Sequence, residues 1–173
     1  MKGTTVEVLV DEDLQDVDVS AAQLQSYVDK LIQVLLLDMG FDAYVKLLKT
    51  CDICVRLCSE SASQQLNEAF RGKNKPTNVL SFMAAQDLPA DVQHELPLGD
   101  LAICWPVVVA EAACQQKSIA DHVCHLFIHG CLHLLGFDHE DDQEAIQMEG
   151  IEIKVLAQLG IANPYEWSAQ PYV

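Results

Sequence analysis

Basic residues are scarce in this chain. Its 173 residues include 10 Lys and Arg against 26 Asp and Glu, which gives a formal net charge of −16. Because affinity for a phosphate backbone comes mainly from Lys and Arg contacts, this balance argues against a protein that coats nucleic acid by charge alone. It leaves room for a local basic cleft.

Long apolar runs are absent as well. Half of the chain is hydrophobic, yet no stretch approaches the roughly 18 apolar residues of a membrane-spanning helix. The first residues also lack the apolar stretch of a secretory signal. We therefore expect a soluble, cytoplasmic protein that has no membrane partner.

A disulfide framework is not expected either. Seven cysteines are an odd number, and buried reduced thiols are the default in a mid-sized chain of this kind. Cys51 and Cys54 have the CxxC spacing of a metal site, but no second CxxC completes a set of four ligands. Because the segment CDICVRLC resembles a strand, we interpret Cys51, Cys54 and Cys58 as core strand residues.

The order of apolar patterns predicts one domain of the α/β (α+β) class. A chain of this length can bury about two thirds of its unfolded surface, which is enough for a hydrophobic core. The domain is predicted over residues 1–165, with 166–173 as a loose tail. We expect a mixed β-sheet of about four to five strands, packed with about five helices around a central histidine-bearing helix. The predicted strands are 6–10, 42–49, 51–58, 79–83 and 99–105, the predicted helices are 20–39, 61–70, 106–116, 118–135 and 142–159, and 84–97 is an excursion.

Four of the six histidines lie at positions 122, 125, 129 and 133. Spacings of three and four residues place them on a single stripe of one helix. The rest of that helix is apolar almost all round, and polar groups on a buried helix need partners. One such histidine would usually be a satisfied core residue, whereas four in a row are harder to explain in this way.

The segment HGCLHLLGFDH is the sharper feature. His129 and His133 stand one helical turn apart and can bind the same ion, and Gly136 lets the chain turn so that His139 can return as a third ligand. Three imidazoles with an open position for water are the usual form of a catalytic zinc site. We therefore predict one Zn²⁺ per chain, although nickel, copper or another divalent ion could occupy the same ligands.

The same spacing matches the zinc protease pattern HExxHxxGxxH with one exception. Gly130 stands where those proteases place a glutamate as general base. Such a base is typically worth about 10²–10⁴-fold in rate, so its absence counts against peptide hydrolysis. A metallopeptidase-like hydrolase stays open as the weaker alternative, and Met148 is interpreted as a core residue rather than as the Met-turn of such a protease.

The few cations are concentrated in one place. Arg71, Lys73 and Lys75 lie within five positions of the loop RGKNKPTN, and this is the only basic cluster of the sequence. A metal-activated nucleophile with a nearby cation suits attack on a phosphodiester, whose developing negative charge needs stabilisation. Taken alone, the residues indicate a metal-dependent hydrolase with an anionic substrate.

At this point the sequence resembles a known family, the YbeY-type metallo-endoribonucleases that mature bacterial rRNA. HGCLHLLGFDH resembles the family signature HGxLHLxGYDH, with Phe137 in place of the usual Tyr. The resemblance extends in the family's order through about residues 60–165. One departure is Met83, which follows the Ser-Phe pair of LNEAFRGKNKPTNVLSF where the family often has proline. The other matching segments are LNEAFRGKNKPTNVLSF, LGDLAICW and MEGIEIKVLAQLGIANPY.

The resemblance implies a single α/β domain that carries zinc on His129, His133 and His139. It also implies hydrolysis of single-stranded RNA, with a role in 3′-end maturation of 16S rRNA and in ribosome quality control. Arg71 would stabilise the scissile phosphate beside the metal-bound water at His129. The resemblance does not decide whether that water or an RNA 2′-hydroxyl is the nucleophile.

Other positions are expected to contribute less directly. By resemblance, His125 would lie behind a ligand or in the cleft wall, and Asn78 and Asp100 would shape the cleft. Lys73 and Lys75 would bind RNA weakly and in a salt-dependent way. The acidic surface also fits a small-subunit ribosomal protein or an assembly GTPase as a partner, and no DNA partner is expected. A non-enzymatic ribosome assembly factor with a structural metal is the remaining alternative.

Overall fold

The computed structural model describes residues 4–37, 40–50, 52–84 and 97–166. Four strands within this part form one mixed sheet in the order β1-β2-β4-β3. Strands β1, β2 and β4 run parallel, and β3 pairs antiparallel with β4 along one edge. The strands are β1 Val6–Val10, β2 Ile53–Cys58, β3 Val79–Met83 and β4 Gly99–Cys104.

Six helices are present in the described part of the chain. Their bounds are α1 Ala21–Leu37, α2 Asp42–Thr50, α3 Glu60–Arg71, α4 Trp105–Cys114, α5 Ile119–Leu134 and α6 Asp142–Gln158. The single-domain α/β class and the mixed sheet predicted from the sequence are confirmed. Residues 85–96 of the predicted excursion and 167–173 of the predicted tail lie outside the described residues, and the domain limit at 165 stays a prediction.

Helix α5 is the central helix that the sequence predicted. It contacts β3 and β4 of the sheet as well as helices α1, α4 and α6. Phe127, Ile128 and Leu132 on this helix are fully buried in the main core. Helix α3 packs on the other face of β4, where Leu66 covers a second, smaller cluster. The histidine stripe is therefore carried by a helix that is enclosed by the sheet and by three other helices.

The segment 42–49 was predicted as a strand, and this prediction is wrong. It forms helix α2, with Asp42 in the first turn and Lys49 in the last, where each charge suits the helix dipole. Val45 and Leu48, three residues apart, are buried on one face, which is a helical rather than an alternating period. In the sequence, the short apolar run fits the period of a helix as well as that of a strand. The packing of this face against α1 therefore decided that the segment forms a helix.

The cysteines follow the interpretation made from the sequence. Cys54 and Cys58 lie in β2, half-buried and buried respectively, and both are free thiols. Cys51 lies outside the described residues. Met148 is buried in the core as expected. Among the helices that the structure describes, none has the combination of length and apolar character that a membrane crossing would need.

Candidate metal centre and cleft

Three histidines converge at one end of α5. His129 and His133 lie one turn apart on the helix, and their Nε2 atoms are 3.1 Å apart. His139 follows the helix and completes the group, in which one ligand atom from each residue lies within 4.8 Å of the others. These are the three residues that the sequence singled out, and the donor set could hold a metal ion.

A tight turn brings His139 back toward the helix. Gly136 has a φ of 91°, in the left-handed region that favours glycine. The Phe137 amide donates to the Leu132 carbonyl oxygen at 3.0 Å, which closes the end of α5. The Phe137 ring is buried against the rings of Phe41 and Tyr44, so the position where the family usually has Tyr lies in an aromatic cluster.

The surroundings of His133 favour a neutral imidazole, as a metal ligand must be. Burial lowers the pKa of His133, and the neighbouring His129 and His139 lower it further. His133 is half-buried, whereas His139 is exposed at the mouth of the site. The open side of the group faces a cleft, which fits a site that keeps a position for water or substrate.

Two residues that the sequence reasoning missed lie behind the histidines. Glu152 on α6 is fully buried, and its Oε1 lies 2.5 Å from Nδ1 of His129. The Tyr165 hydroxyl donates to the other carboxylate oxygen, and His125 Nε2 lies 3.5 Å from the same oxygen. The available signal was a single acidic residue on the apolar face of α6, which also carries Met148, Ile151, Val155 and Leu156.

This contact network holds a charge inside the protein. Burial by itself would raise the pKa of the Glu152 carboxyl, but hydrogen bonds from His125, His129 and Tyr165 lower it to about 2. Burial and the adjacent carboxylate raise the pKa of the Tyr165 hydroxyl. Glu152 is therefore a carboxylate and Tyr165 a hydrogen-bond donor at neutral pH.

The basic loop and the histidines line the same cleft. Its volume is about 520 Å³, and Arg71, Lys73 and Lys75 lie on its wall together with the three histidines. The spacing of residues alone could not establish this juxtaposition, because the loop and the histidines are far apart in sequence. Asp138 is the only carboxylate among the described residues that line the cleft.

Hydrogen bonds hold the loop in place after α3 ends. Gly72, with a φ of 67°, ends the helix in the left-handed conformation. The Asn67 side chain donates to the Lys75 carbonyl oxygen at 2.7 Å, and the Ser63 hydroxyl bonds to the backbone of Thr77. Because Asn67 and Ser63 are both buried, the loop that carries the cations is anchored to the core at two points.

Three of the residues that the sequence predicted to contribute less directly do not line this cleft. Asn78 donates its side-chain amide to Glu111, whose carboxylate also contacts His122. Asp100 borders a separate groove on the α3 side of the sheet, because alternate residues of β4 face opposite sides. His125 lies beside Glu152 and Tyr165. None of the three is among the described residues that line the cleft with the histidines.

Gly130 has a structural reason to be glycine. A Cβ atom at this position would lie 2.8 Å from Cδ2 of Leu101, a buried residue of β4. The side of α5 on which a glutamate would stand in a zinc protease is thus occupied by the sheet. The metallopeptidase alternative has no general base at this position, and the Leu101 side chain would have to shift to admit one.

A single α/β domain with three convergent histidines beside three cations has the arrangement expected of a metal-dependent hydrolase of an anionic substrate. A family model described as "Endoribonuclease YbeY" matches residues 9–160. The chain belongs to this family, and the resemblance noted in the sequence is confirmed.

Similar proteins agree with this assignment. Endoribonuclease YbeY of Alteromonas mediterranea is 52% identical over 115 residues, which cover 66% of this chain and 71% of that protein. Endoribonuclease YbeY of Acinetobacter baumannii is 44% identical over 155 residues, 87% of this chain and 90% of that protein. The solution structure of TM1509 from Thermotoga maritima covers 97% of this chain and 99% of its own with a TM-score of 0.53. At 23% identity it supports the fold alone.

Proposed function

We infer that the chain is an endoribonuclease of ribosomal RNA processing, and we propose that it cuts single-stranded RNA in the cleft between the three histidines and the basic loop. Family membership supports the reaction class. The observation that carries the location is that His129, His133 and His139 line one cleft with Arg71, Lys73 and Lys75. We propose 3′-end maturation of 16S rRNA as the physiological step and the cytoplasm as its place.

We propose zinc as the metal. Three imidazole nitrogens with an open fourth side are the donor set of catalytic zinc sites, and the half-buried His133 has a pKa lowered by burial. A zinc ion held there would supply Lewis-acid chemistry to a phosphate oxygen and to a water molecule. His129, His133 and His139 would hold the ion, so their task is to stay neutral and in position.

The cations bind and orient the substrate. Arg71 is the last residue of α3 and lies on the cleft wall. Its guanidinium can donate two parallel hydrogen bonds to a phosphate and stabilise charge that develops there. Lys73 and Lys75 act as point charges that draw the strand into a protein that is otherwise strongly acidic. The acidic exterior also supports the proposal of a basic ribosomal protein or an assembly GTPase as a partner.

Cleavage of an end-labelled single-stranded RNA by purified protein tests this proposal. Arg71→Ala should retain its metal, measured in the same samples, and should lose about 10²–10³-fold in cleavage rate. Lys30→Ala is the matched control, because Lys30 is a cation on α1 that does not line the cleft. Equal cleavage by all three proteins would point to a contaminating ribonuclease. Bound metal with no cleavage by the wild type would favour the assembly-factor alternative.

A further inference from the structure

Glu152 is a charged residue in an unusual place. Its side chain is fully buried on α6, and a buried carboxylate is costly unless partners compensate for the lost water. Both oxygens have such partners. Oε1 faces Nδ1 of His129 at 2.5 Å, and Oε2 accepts the Tyr165 hydroxyl.

The contact with His129 fixes which ring nitrogen can face a metal. A carboxylate against Nδ1 requires the proton to be on Nδ1, which leaves the lone pair on Nε2. The Nε2 atom of His129 lies 3.1 Å from Nε2 of His133, on the side where the three histidines converge. The carboxylate therefore selects the tautomer in which His129 offers its metal-facing nitrogen.

Tyr165 holds the carboxylate in turn. It lies beyond the end of α6 in a turn where its backbone amide donates to the side chain of Asn163 at 3.0 Å. This turn brings the hydroxyl back to Glu152, on the side of the carboxylate opposite His129. Without the hydroxyl, the contact with the described residues that remains for this oxygen is the longer one with His125.

From these contacts we propose that Glu152 and Tyr165 are positioning residues of the metal site, which fix the ring orientation and tautomer of His129 for metal binding. The inference rests on the proposed function in one respect, namely that the three histidines bind a metal ion. Partners of this kind typically account for a 10–100-fold change in metal affinity when they are removed.

The competing explanation is that Glu152 and Tyr165 have a purely structural role. Helix α5, which carries His129, also carries the histidine of a second histidine–carboxylate pair that serves as a control. His122 Nε2 lies 2.7 Å from the Glu111 carboxylate, so this pair has the same chemistry, with the histidine rather than the carboxylate as its buried member. His122 is not a member of the metal-facing group. Removing the Glu111 charge therefore disturbs a histidine–carboxylate pair at a buried histidine without touching a proposed ligand.

The test is competition for Zn²⁺ between the full chain and a chromophoric chelator, with thermal unfolding of the metal-free proteins alongside. Glu152→Gln keeps the shape of the side chain and removes its charge, and it should weaken Zn²⁺ binding by about 10–100-fold. Tyr165→Phe leaves the carboxylate in place and should weaken binding less than Glu152→Gln does. Glu111→Gln should leave the affinity within about twofold of the wild type.

The outcomes separate this inference from the proposed function. Zn²⁺ affinity that is unchanged in both Glu152→Gln and Tyr165→Phe, or lowered equally in Glu111→Gln, would overturn the positioning role while the wild type still binds metal. A wild type that binds no metal would overturn the metal-dependent function together with the inference. If Glu152→Gln does not fold, the comparison of Tyr165→Phe with Glu111→Gln decides the inference.

Discussion

At Arg71 the end of a helix places a guanidinium group on the wall of the cleft that also contains the histidines. The chemistry of the group matters as well as its charge. A guanidinium presents a planar fork that matches two phosphate oxygens, whereas a lysine ammonium is a point charge on a flexible stem. The site should therefore distinguish between the two cations.

Replacing Arg71 with Lys tests this distinction. We expect Arg71→Lys to cleave single-stranded RNA faster than Arg71→Ala but at least about tenfold slower than the wild type, because the bidentate geometry is lost. Single-turnover cleavage rates at saturating protein would measure it. Wild-type activity in Arg71→Lys would show that only the positive charge is used.

His122 provides a second prediction at the level of single residues. Burial lowers its pKa below the usual value, and this effect outweighs the contact with Glu111, which raises the pKa. The unfolded chain therefore binds a proton at higher pH than the native chain does, so stability is full above about pH 6.5 and falls as the pH drops.

We expect His122→Asn to flatten the decline in unfolding free energy of the metal-free protein below pH 6.5. One proton accounts for at most about 1.4 kcal/mol per pH unit. Urea unfolding of both proteins at pH 7 and pH 5 would measure the difference. Identical declines would show that His122 does not titrate differently in the two states.

At the level of elements, two helix ends carry the site. Helix α3 ends at Gly72 and passes directly into the basic loop, and α5 ends in the turn at Gly136 that leads to His139. Both glycines have positive φ values, so each turn depends on a residue that adopts this conformation without a steric penalty. The two turns position the basic loop and His139, which both line the cleft.

We expect Gly136→Ala to lower the unfolding free energy by about 1–3 kcal/mol, because a side chain in the left-handed region is strained. It should also weaken metal binding by displacing His139. Gly150→Ala is the matched control, because Gly150 lies inside α6 with open space where the Cβ would stand, and it should stabilise the protein by about 0.5–1 kcal/mol. Thermal unfolding of both variants measures the difference. Melting temperatures that shift alike in Gly136→Ala and Gly150→Ala would show that the conformation of Gly136 does not matter.

Sequence patterns predicted the elements and the grouping of the three histidines where the information was local. His129, His133 and His139 fall within one motif, and the helix period and one glycine were enough to group them. Glu152 was missed because its contact with His129 joins two helices over a separation of 23 residues. The segment 42–49 was assigned to the wrong element because its short apolar run fits both periods and packing against α1 decided between them.

At the level of the whole molecule, charge is distributed unevenly. The formal net charge is −16, yet the cleft contains three cations and one described carboxylate on its wall. We therefore expect RNA binding to be confined to this cleft, where few phosphates can be neutralised at once. The composition predicted that RNA binding would be restricted to a local cleft. The fold was needed to show that the three cations and the three histidines line the same cleft.

The salt dependence of RNA binding measures how many phosphates the cleft neutralises. With about 0.7 units of slope per contact on a single strand, three contacts predict a slope of about −2 for the logarithm of affinity against the logarithm of salt. Lys75→Ala should reduce the slope by about 0.7, whereas Lys30→Ala should leave it unchanged. An affinity that does not respond to salt would contradict binding through these cations.

We propose that the three histidines hold a metal ion with which the protein cuts single-stranded RNA. The most direct measurement is cleavage and metal content of the same purified samples for wild type, His133→Ala and His122→Asn. We expect His133→Ala to lose both bound metal and cleavage, whereas His122→Asn, altered on the same helix outside the ligand group, should retain both. Full cleavage by His133→Ala without bound metal would contradict the account.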